Sequence, residues 1–84
     1  MDILNSRVIK QFIAEHADAE APLNDWLSKA RAAEWKKNAD VQQTVNSVDH
    51  LGDQKFIFNI GGKNFRLAAM VWIVQERVYV LKIM

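Results

Sequence analysis

Two apolar runs on either side of a glycine pair constrain the fold of this 84-residue chain more than any other feature. The runs cover residues 55–60 and 63–73, and Gly61-Gly62 lies between them. Because glycine adopts the positive φ angles of a tight turn without steric cost, this pattern predicts a β-hairpin. A third apolar run over residues 77–84 predicts a further strand, which makes the strand over 63–73 the central one.

The first half of the chain has the three- and four-residue apolar spacing of amphipathic helices. This spacing predicts helices over about residues 6–16 and 22–35, and a shorter helix over about residues 40–46. Residues 1–4 are expected to form a short strand, and the polar residues 46–54 a loop. We therefore predict a single α+β domain over the whole chain, in which an N-terminal helical hairpin packs on a small antiparallel sheet.

The composition argues against several kinds of site. The chain has no cysteine, so it forms neither a disulfide nor a thiolate metal site. Its two histidines lack the spacing of a zinc motif or a hydrolase triad, and we predict no metal and no other cofactor. No segment reaches the ~18 apolar residues of a membrane span, and the acidic Asp2 is untypical of a secretory leader. We expect a cytoplasmic protein without membrane contact.

The charge is distributed unevenly along the chain, although the net charge is only +1. Residues 1–50 carry six Lys/Arg and eight Asp/Glu, whereas residues 51–84 carry five Lys/Arg and two Asp/Glu. The strand-rich half is therefore the basic half. Basic patches concentrate phosphates, so RNA is one interpretation, and a solvated strand face with ordinary lysines is the other.

Arg66 interrupts the apolar central strand, where a charge on a buried sheet face is costly. Two interpretations stay open: the stem packs on the sheet while the guanidinium reaches an acidic neighbour or solvent, or the planar guanidinium clamps a phosphate. Alternation along the strand places Trp72 on the same face, so Trp72 is the tryptophan best placed to stack on a base. Core packing is the more common role of a tryptophan.

Two further polar residues near the glycine pair are candidates for ligand contacts. Asn59 lies within the first apolar run and must satisfy several hydrogen bonds if it is buried. It either caps the hairpin or projects towards a ligand. Lys63 lies beside the turn, where solvated lysines are ordinary.

The segment from Phe58 to Leu67 resembles the HigB branch of the RelE-type toxins of bacterial toxin–antitoxin pairs. Its Phe-Asn-Ile-Gly-Gly-Lys-Asn-Phe-Arg-Leu sequence is the most specific part, and Ala69-Met70-Val71 and Val78-Tyr79-Val80 agree as well. The first half, from Pro22-Leu23 to Trp35-Lys36, agrees more loosely. The resemblance covers essentially the whole chain and implies a RelE-like fold.

The resemblance implies an mRNA interferase, a toxin that cuts messenger RNA, typically in the ribosomal A site, without a metal. Such an enzyme promotes attack of a ribose 2′-hydroxyl on the adjacent phosphodiester, which needs cationic groups around the phosphate and an acid–base pair. Carried over to this chain, the resemblance implies that Arg66 is the catalytic, phosphate-stabilising residue and that Asn59, Lys63 and Arg77 contact RNA. The implied partners are messenger RNA on the ribosome and a cognate helix-turn-helix antitoxin.

Related toxins continue past their last strand with a segment reading roughly threonine-histidine-x-glutamate-tyrosine-aspartate, which carries catalytic or base-stacking side chains. The present sequence ends at Met84, so we expect its nuclease activity to be absent or weakened. The alternatives are a non-enzymatic domain that binds the antitoxin or another partner, and a generic RNA-binding module. We also predict that the apolar last strand over residues 77–84 lies at a sheet edge, where it favours homo-oligomers.

Overall fold

The helices of this α+β fold lie between the first strand and the other four strands along the chain. The structure is a computed structural model that describes residues 1–45, 47–62 and 64–84. Its elements, in chain order, are β1 (Asp2–Leu4), α1 (Arg7–Glu15), a 3₁₀ turn (Ala17–Ala19), α2 (Glu20–Ala32), α3 (Asn38–Thr44), β2 (Val48–Gly52), β3 (Lys55–Ile60), β4 (Phe65–Trp72) and β5 (Arg77–Ile83).

Four of the five strands form an antiparallel meander, and the remaining strand is added parallel to its end. The strand order is β1-β5-β4-β3-β2, so β4 is the central strand, as predicted. β1 runs parallel to β5, with Ile3 opposite Val78, which makes the sheet mixed instead of purely antiparallel. The reason is topological, because the chain passes through the helices between β1 and β2 before the meander begins.

The prediction that the last strand lies at a sheet edge is wrong. β5 lies between β4 and β1. The side-chain amide of Asn5 extends this cover, since its Nδ2 donates a hydrogen bond to the Val80 carbonyl oxygen at 2.8 Å. The edge strands are β1 and β2. A second copy of the chain therefore cannot pair with β5 along the part of this strand that β1 already covers.

One face of the sheet is covered by the helices and holds the hydrophobic core. α1 packs on β5, and α2 packs on β1 and β3. Trp26 of α2 contacts Phe58 of β3 edge-on, with ring centroids 5.3 Å apart. The core side chains of the three middle strands are Phe56, Phe58, Ile60, Leu67, Ala69, Val71, Val78 and Val80. None of them is more than 3% exposed, and burial of each large one contributes about 1.5–3 kcal/mol.

The segment that was predicted to be a loop contains a strand. Val48–Gly52 forms β2 and pairs with β3, with Asp49 opposite Ile57. This strand is short and mostly exposed, so its local sequence lacks a strong strand pattern, and backbone pairing with β3 determines its conformation.

The connection between β3 and β4 is longer than the predicted two-residue turn. Ile60 pairs with Phe65, so residues 61–64 connect the two strands. Gly61 and Gly62 have φ angles of 60° and 72°, which is the left-handed region that glycine adopts without strain. The glycine pair thus forms part of the turn, as predicted, although the turn is wider.

Candidate functional site

The face of the sheet opposite the core is open among the residues that the structure describes. Residues along β4 alternate between the two faces, so Arg66, Met70 and Trp72 lie on the open face while Leu67 and Val71 lie in the core. The described helices pack on the core face. The open face is therefore the surface on which this protein can present polar groups to a ligand.

Arg66 lies near the start of β4 and is solvent-accessible. Its side chain is 49% exposed, so the desolvation cost that the sequence suggested is not incurred. The Arg66 N–H donates to the Met84 carbonyl oxygen at 2.9 Å, and the Met84 N–H donates to the Arg66 carbonyl oxygen at 2.8 Å. These backbone bonds hold the base of the Arg66 side chain in place.

The guanidinium of Arg66 is close to a carboxylate on β2. Arg66 Nη2 lies 3.5 Å from Asp49 Oδ2, and the Asp49 side chain is 59% exposed. An exposed ion pair at this distance is screened by water and contributes about 0–1 kcal/mol. A phosphate can therefore replace Asp49 as the partner of Arg66 at small cost, with the bidentate geometry that guanidinium groups favour.

Asn59 stands directly opposite Arg66 in the pairing of β3 with β4. Its side-chain Nδ2 donates a hydrogen bond to Ser47 Oγ at 2.8 Å, and its backbone N–H donates to the Ser47 carbonyl oxygen at 2.9 Å. Ser47, Asp49, Asn59 and Arg66 line a shallow depression of about 470 Å³. The structure thus brings Asn59 and Arg66 into one site, where Ser47 fixes the amide of Asn59.

The other two predicted RNA-contacting residues are placed differently. Lys63 lies outside the described residues. Arg77 is the partner of Trp72 at the opposite end of β4. At ~3.3 Å per residue, the six steps from Arg66 to Trp72 span roughly 20 Å. The structure therefore does not bring Arg77 to the depression around Arg66.

Asp49 and Ser47 were not singled out from the sequence, because their segment was interpreted as a loop. The only available signal was the weak alternation in Val48-Asp49-His50, which places Asp49 on the face opposite to its neighbours once the segment is extended. Asp49 is a carboxylate beside an arginine, and a carboxylate can accept a proton from a nearby hydroxyl. The depression can therefore bind a phosphate oxygen and remove a proton close to it.

Neither histidine lines this depression. The ring of His50 stacks on Phe56 with centroids 4.3 Å apart, and its Nε2 lies 2.7 Å from the Asp53 carbonyl oxygen. The ring of His16 stacks on Phe12 at the end of α1, with centroids 4.1 Å apart. The histidines thus belong to aromatic contacts elsewhere in the described part of the chain.

Comparison with known proteins matches residues 19–84 to the model of a family described as HigB toxin, the RelE-like toxic component of a toxin-antitoxin system. The matched stretch is about four-fifths of the chain and contains all four residues of the depression. A search of curated proteins found no significant match. Among the described residues, no helix has both the length and the apolar character needed to cross a membrane.

Proposed function

This chain belongs to the HigB family of RelE-like toxins of toxin–antitoxin systems, and we propose that it acts on messenger RNA at the depression around Arg66. Its family makes it the toxin of such a pair, with an antitoxin as partner. The helix-turn-helix nature of that antitoxin and the ribosome as the place of action are part of the proposal.

The observation that carries the proposal is the Arg66–Asp49 pair on an open sheet face. Arg66 would bind the non-bridging oxygens of a phosphodiester and stabilise the negative charge that grows on them during reaction. The adjacent ribose 2′-oxygen would attack phosphorus as its proton passes to Asp49. The bond to the 5′-oxygen then breaks, which leaves a 2′,3′-cyclic phosphate and a 5′-oxygen that takes a proton.

The same geometry supports slow cleavage by the 84-residue chain. Among the described residues, the depression contains one guanidinium, one carboxylate and the neutral side chains of Ser47 and Asn59. The proton for the leaving 5′-oxygen would come from water or from a group that does not line the depression. The backbone of Met84 pairs with that of Arg66, so residue 84 lies close to the depression.

Expression of the 84-residue chain in bacteria tests the proposal, with growth, translation and messenger RNA ends as measurements. We expect cleavage within translated messages, and a loss of about 10²–10³-fold in Arg66→Ala, which is the usual cost of removing one stabilising donor. Arg7→Ala is the matched control, because Arg7 is exposed at the start of α1 on the helical side. Cleavage that survives Arg66→Ala unchanged would contradict the proposal.

A second candidate function is antitoxin binding without cleavage. It is supported by the family match, which makes an antitoxin the partner whether or not the chain cuts RNA. This alternative predicts that the chain forms a complex with the antitoxin of its own operon, that Arg66→Ala leaves this affinity unchanged, and that no new messenger RNA ends arise. Co-purification combined with the cleavage assay distinguishes the two functions.

A further inference from the structure

The end of the open face away from Arg66 carries a cluster of aromatic and cationic side chains. Leu4, Trp72, Gln75, Arg77 and Tyr79 line a depression of about 320 Å³. The strand pairing explains this grouping, since Trp72 stands opposite Arg77, and Tyr79 stands opposite both Leu4 and Met70. Three strands thus contribute to one surface.

The aromatic rings of this cluster are not part of the core. Trp26 and Trp35 are buried at 2% and 3% exposure, whereas Trp72 is only half-buried and lies outside the core cluster. Tyr79 is 40% exposed, and Leu4 is 39% exposed. Core packing, the common role of tryptophan, therefore does not account for Trp72. Exposed aromatic side chains that share a surface typically mark a binding site.

We propose that Trp72, Tyr79 and Arg77 form a second RNA subsite, which holds a base and a phosphate of the strand whose scissile phosphate lies at Arg66. This inference rests on the proposed function. Single-stranded RNA is recognised by stacking of its bases on exposed aromatic rings and by arginines at its phosphates, and this cluster supplies both. The patch is thus a mostly apolar surface that carries two aromatic rings and one cationic side chain.

Arg77 is the charged side chain that lines this depression. The ion pairs that the structure records between described residues involve Lys29 with Asp25 and Arg66 with Asp49, and neither includes Arg77. Asp2 stands opposite Arg77 in the β1–β5 pairing, and the exposed Glu76 precedes Arg77 in the chain. Arg77 is thus available to a phosphate, with the carboxylates of Asp2 and Glu76 as local competitors.

Between the two sites, the open face of β4 carries apolar side chains. Ala68 and Met70 are the open-face residues of β4 between Arg66 and Trp72. Ala68 is small and only 1% exposed, so it does not project into the path. The separation of roughly 20 Å along β4 corresponds to a strand of about four nucleotides, at the lower end of the site sizes of single-strand-binding folds. The subsite therefore predicts a preference for single-stranded RNA of at least that length.

Binding of labelled single-stranded RNA to the purified 84-residue protein tests this inference. The probes are a hexanucleotide that reaches both sites and a dinucleotide that reaches only one, at a single fixed salt concentration because phosphate contacts depend on salt. We expect Trp72→Leu to weaken hexanucleotide binding about tenfold, as loss of one stacked base does, and to weaken dinucleotide binding less, because a dinucleotide can still bind at Arg66. Trp72→Phe keeps an aromatic face and should retain most of the affinity.

Tryptophan fluorescence gives a second measurement on the same proteins. Because the other two tryptophans are buried, quenching by the hexanucleotide should come from Trp72 and disappear in Trp72→Leu. Circular dichroism shows whether Trp72→Leu folds. If it does not, Tyr79→Leu and Arg77→Gln are measured in its place, and each should lose hexanucleotide affinity several-fold. Asp2→Asn should increase that affinity.

The outcomes separate this inference from the proposed function. If Arg66→Ala abolishes cleavage while Trp72→Leu and Arg77→Gln bind the hexanucleotide like the unchanged protein, the subsite is wrong and the proposed function stands. If the unchanged protein binds neither RNA probe and cuts no message, both are wrong. The same substitutions could instead weaken antitoxin binding, or convert a dimer to a monomer, while RNA affinity stays constant. The patch would then be a protein contact, and the inference would be overturned.

Discussion

The two faces of the sheet are made by the same strands but have opposite properties. On β4, Leu67 and Val71 are fully buried against the helices, whereas Arg66 is exposed and Trp72 is half-buried on the other face. An antiparallel sheet that is covered on one side needs only that side for its core. The covered face can therefore provide the stability of the protein, while the open face carries charges and aromatic rings that would be costly in a core.

This comparison predicts that substitutions on the two faces affect different properties. Changes on the covered face should lower the free energy of unfolding. Changes on the open face should alter RNA binding or cleavage while the free energy of unfolding stays nearly constant.

The largest effect is expected for Phe58→Ala on the covered face. Phe58 is fully buried and packs edge-on against Trp26, so its truncation leaves a cavity and should cost about 3–5 kcal/mol. Total stabilities of small domains are about 5–15 kcal/mol, and this loss is a large part of that. Urea unfolding followed by circular dichroism measures it. Tyr79→Leu on the open face is the control, with an expected change within about 0.5 kcal/mol. Equal losses would break the comparison.

Arg66→Ala is expected to separate activity from stability most clearly. The exposed ion pair with Asp49 contributes little, so the free energy of unfolding should fall by less than about 1 kcal/mol. Cleavage should fall about 10²–10³-fold because a preorganised cationic donor is lost. Arg66→Lys should recover only part of the activity, since an ammonium group lacks the planar, bidentate geometry. A large loss of stability in Arg66→Ala would mean that the open face also supports the fold.

Asp49→Asn should change RNA binding and cleavage in opposite directions. The substitution removes the carboxylate that competes with phosphate for Arg66, so RNA affinity should rise a few-fold, by roughly the small energy of an exposed ion pair. Cleavage should fall about 10²-fold, because the group that accepts the 2′-hydroxyl proton is lost. Parallel measurements of binding to an uncleavable 2′-deoxy strand and of cleavage of RNA test this. A variant that cleaves at the original rate shows that Asp49 is not the base.

The smallest effect is expected at the turn that joins β3 to β4. Gly61 has a φ of 60°, where alanine is strained by about 1–2 kcal/mol. A Cβ at this position meets the Pro22 ring at 3.5 Å, which is an ordinary contact, so the backbone angle is the main cause. Thermal unfolding of Gly61→Ala should show this loss, and Gly61→Asn should lose less because asparagine tolerates the left-handed region. Equal losses would point to crowding against Pro22 instead.

Much of the fold could be predicted from local patterns. The apolar spacing of residues 6–16 and 22–35 corresponds to α1 and α2, and the glycine pair separates β3 from β4. These elements have a clear period or a clear turn residue, so their identity depends little on distant contacts. The strand Val48–Gly52 could not be recognised in this way, because backbone pairing with β3 determines its conformation.

The candidate site was only partly predictable for the same reason. Arg66 and Asn59 stand out as polar residues within apolar runs, so the sequence alone indicates them. Asp49 joins them only because β2 lies next to β3, and Arg77 is separated from them only by the length of β4. Whether Arg66 is buried or exposed also depends on which face of the sheet the helices cover. The sequence does not indicate that face, because both faces of β4 are mostly apolar.

The sequence by itself determined that a glycine-linked hairpin carries an arginine on its central strand, since strand period and turn chemistry are local properties. The tertiary structure decided that this arginine faces solvent, that Asp49 stands beside it and that Trp72 and Tyr79 lie at the far end of the same face. These facts follow from strand order and helix placement. Both depend on contacts between residues that are distant in the chain, which no local pattern encodes.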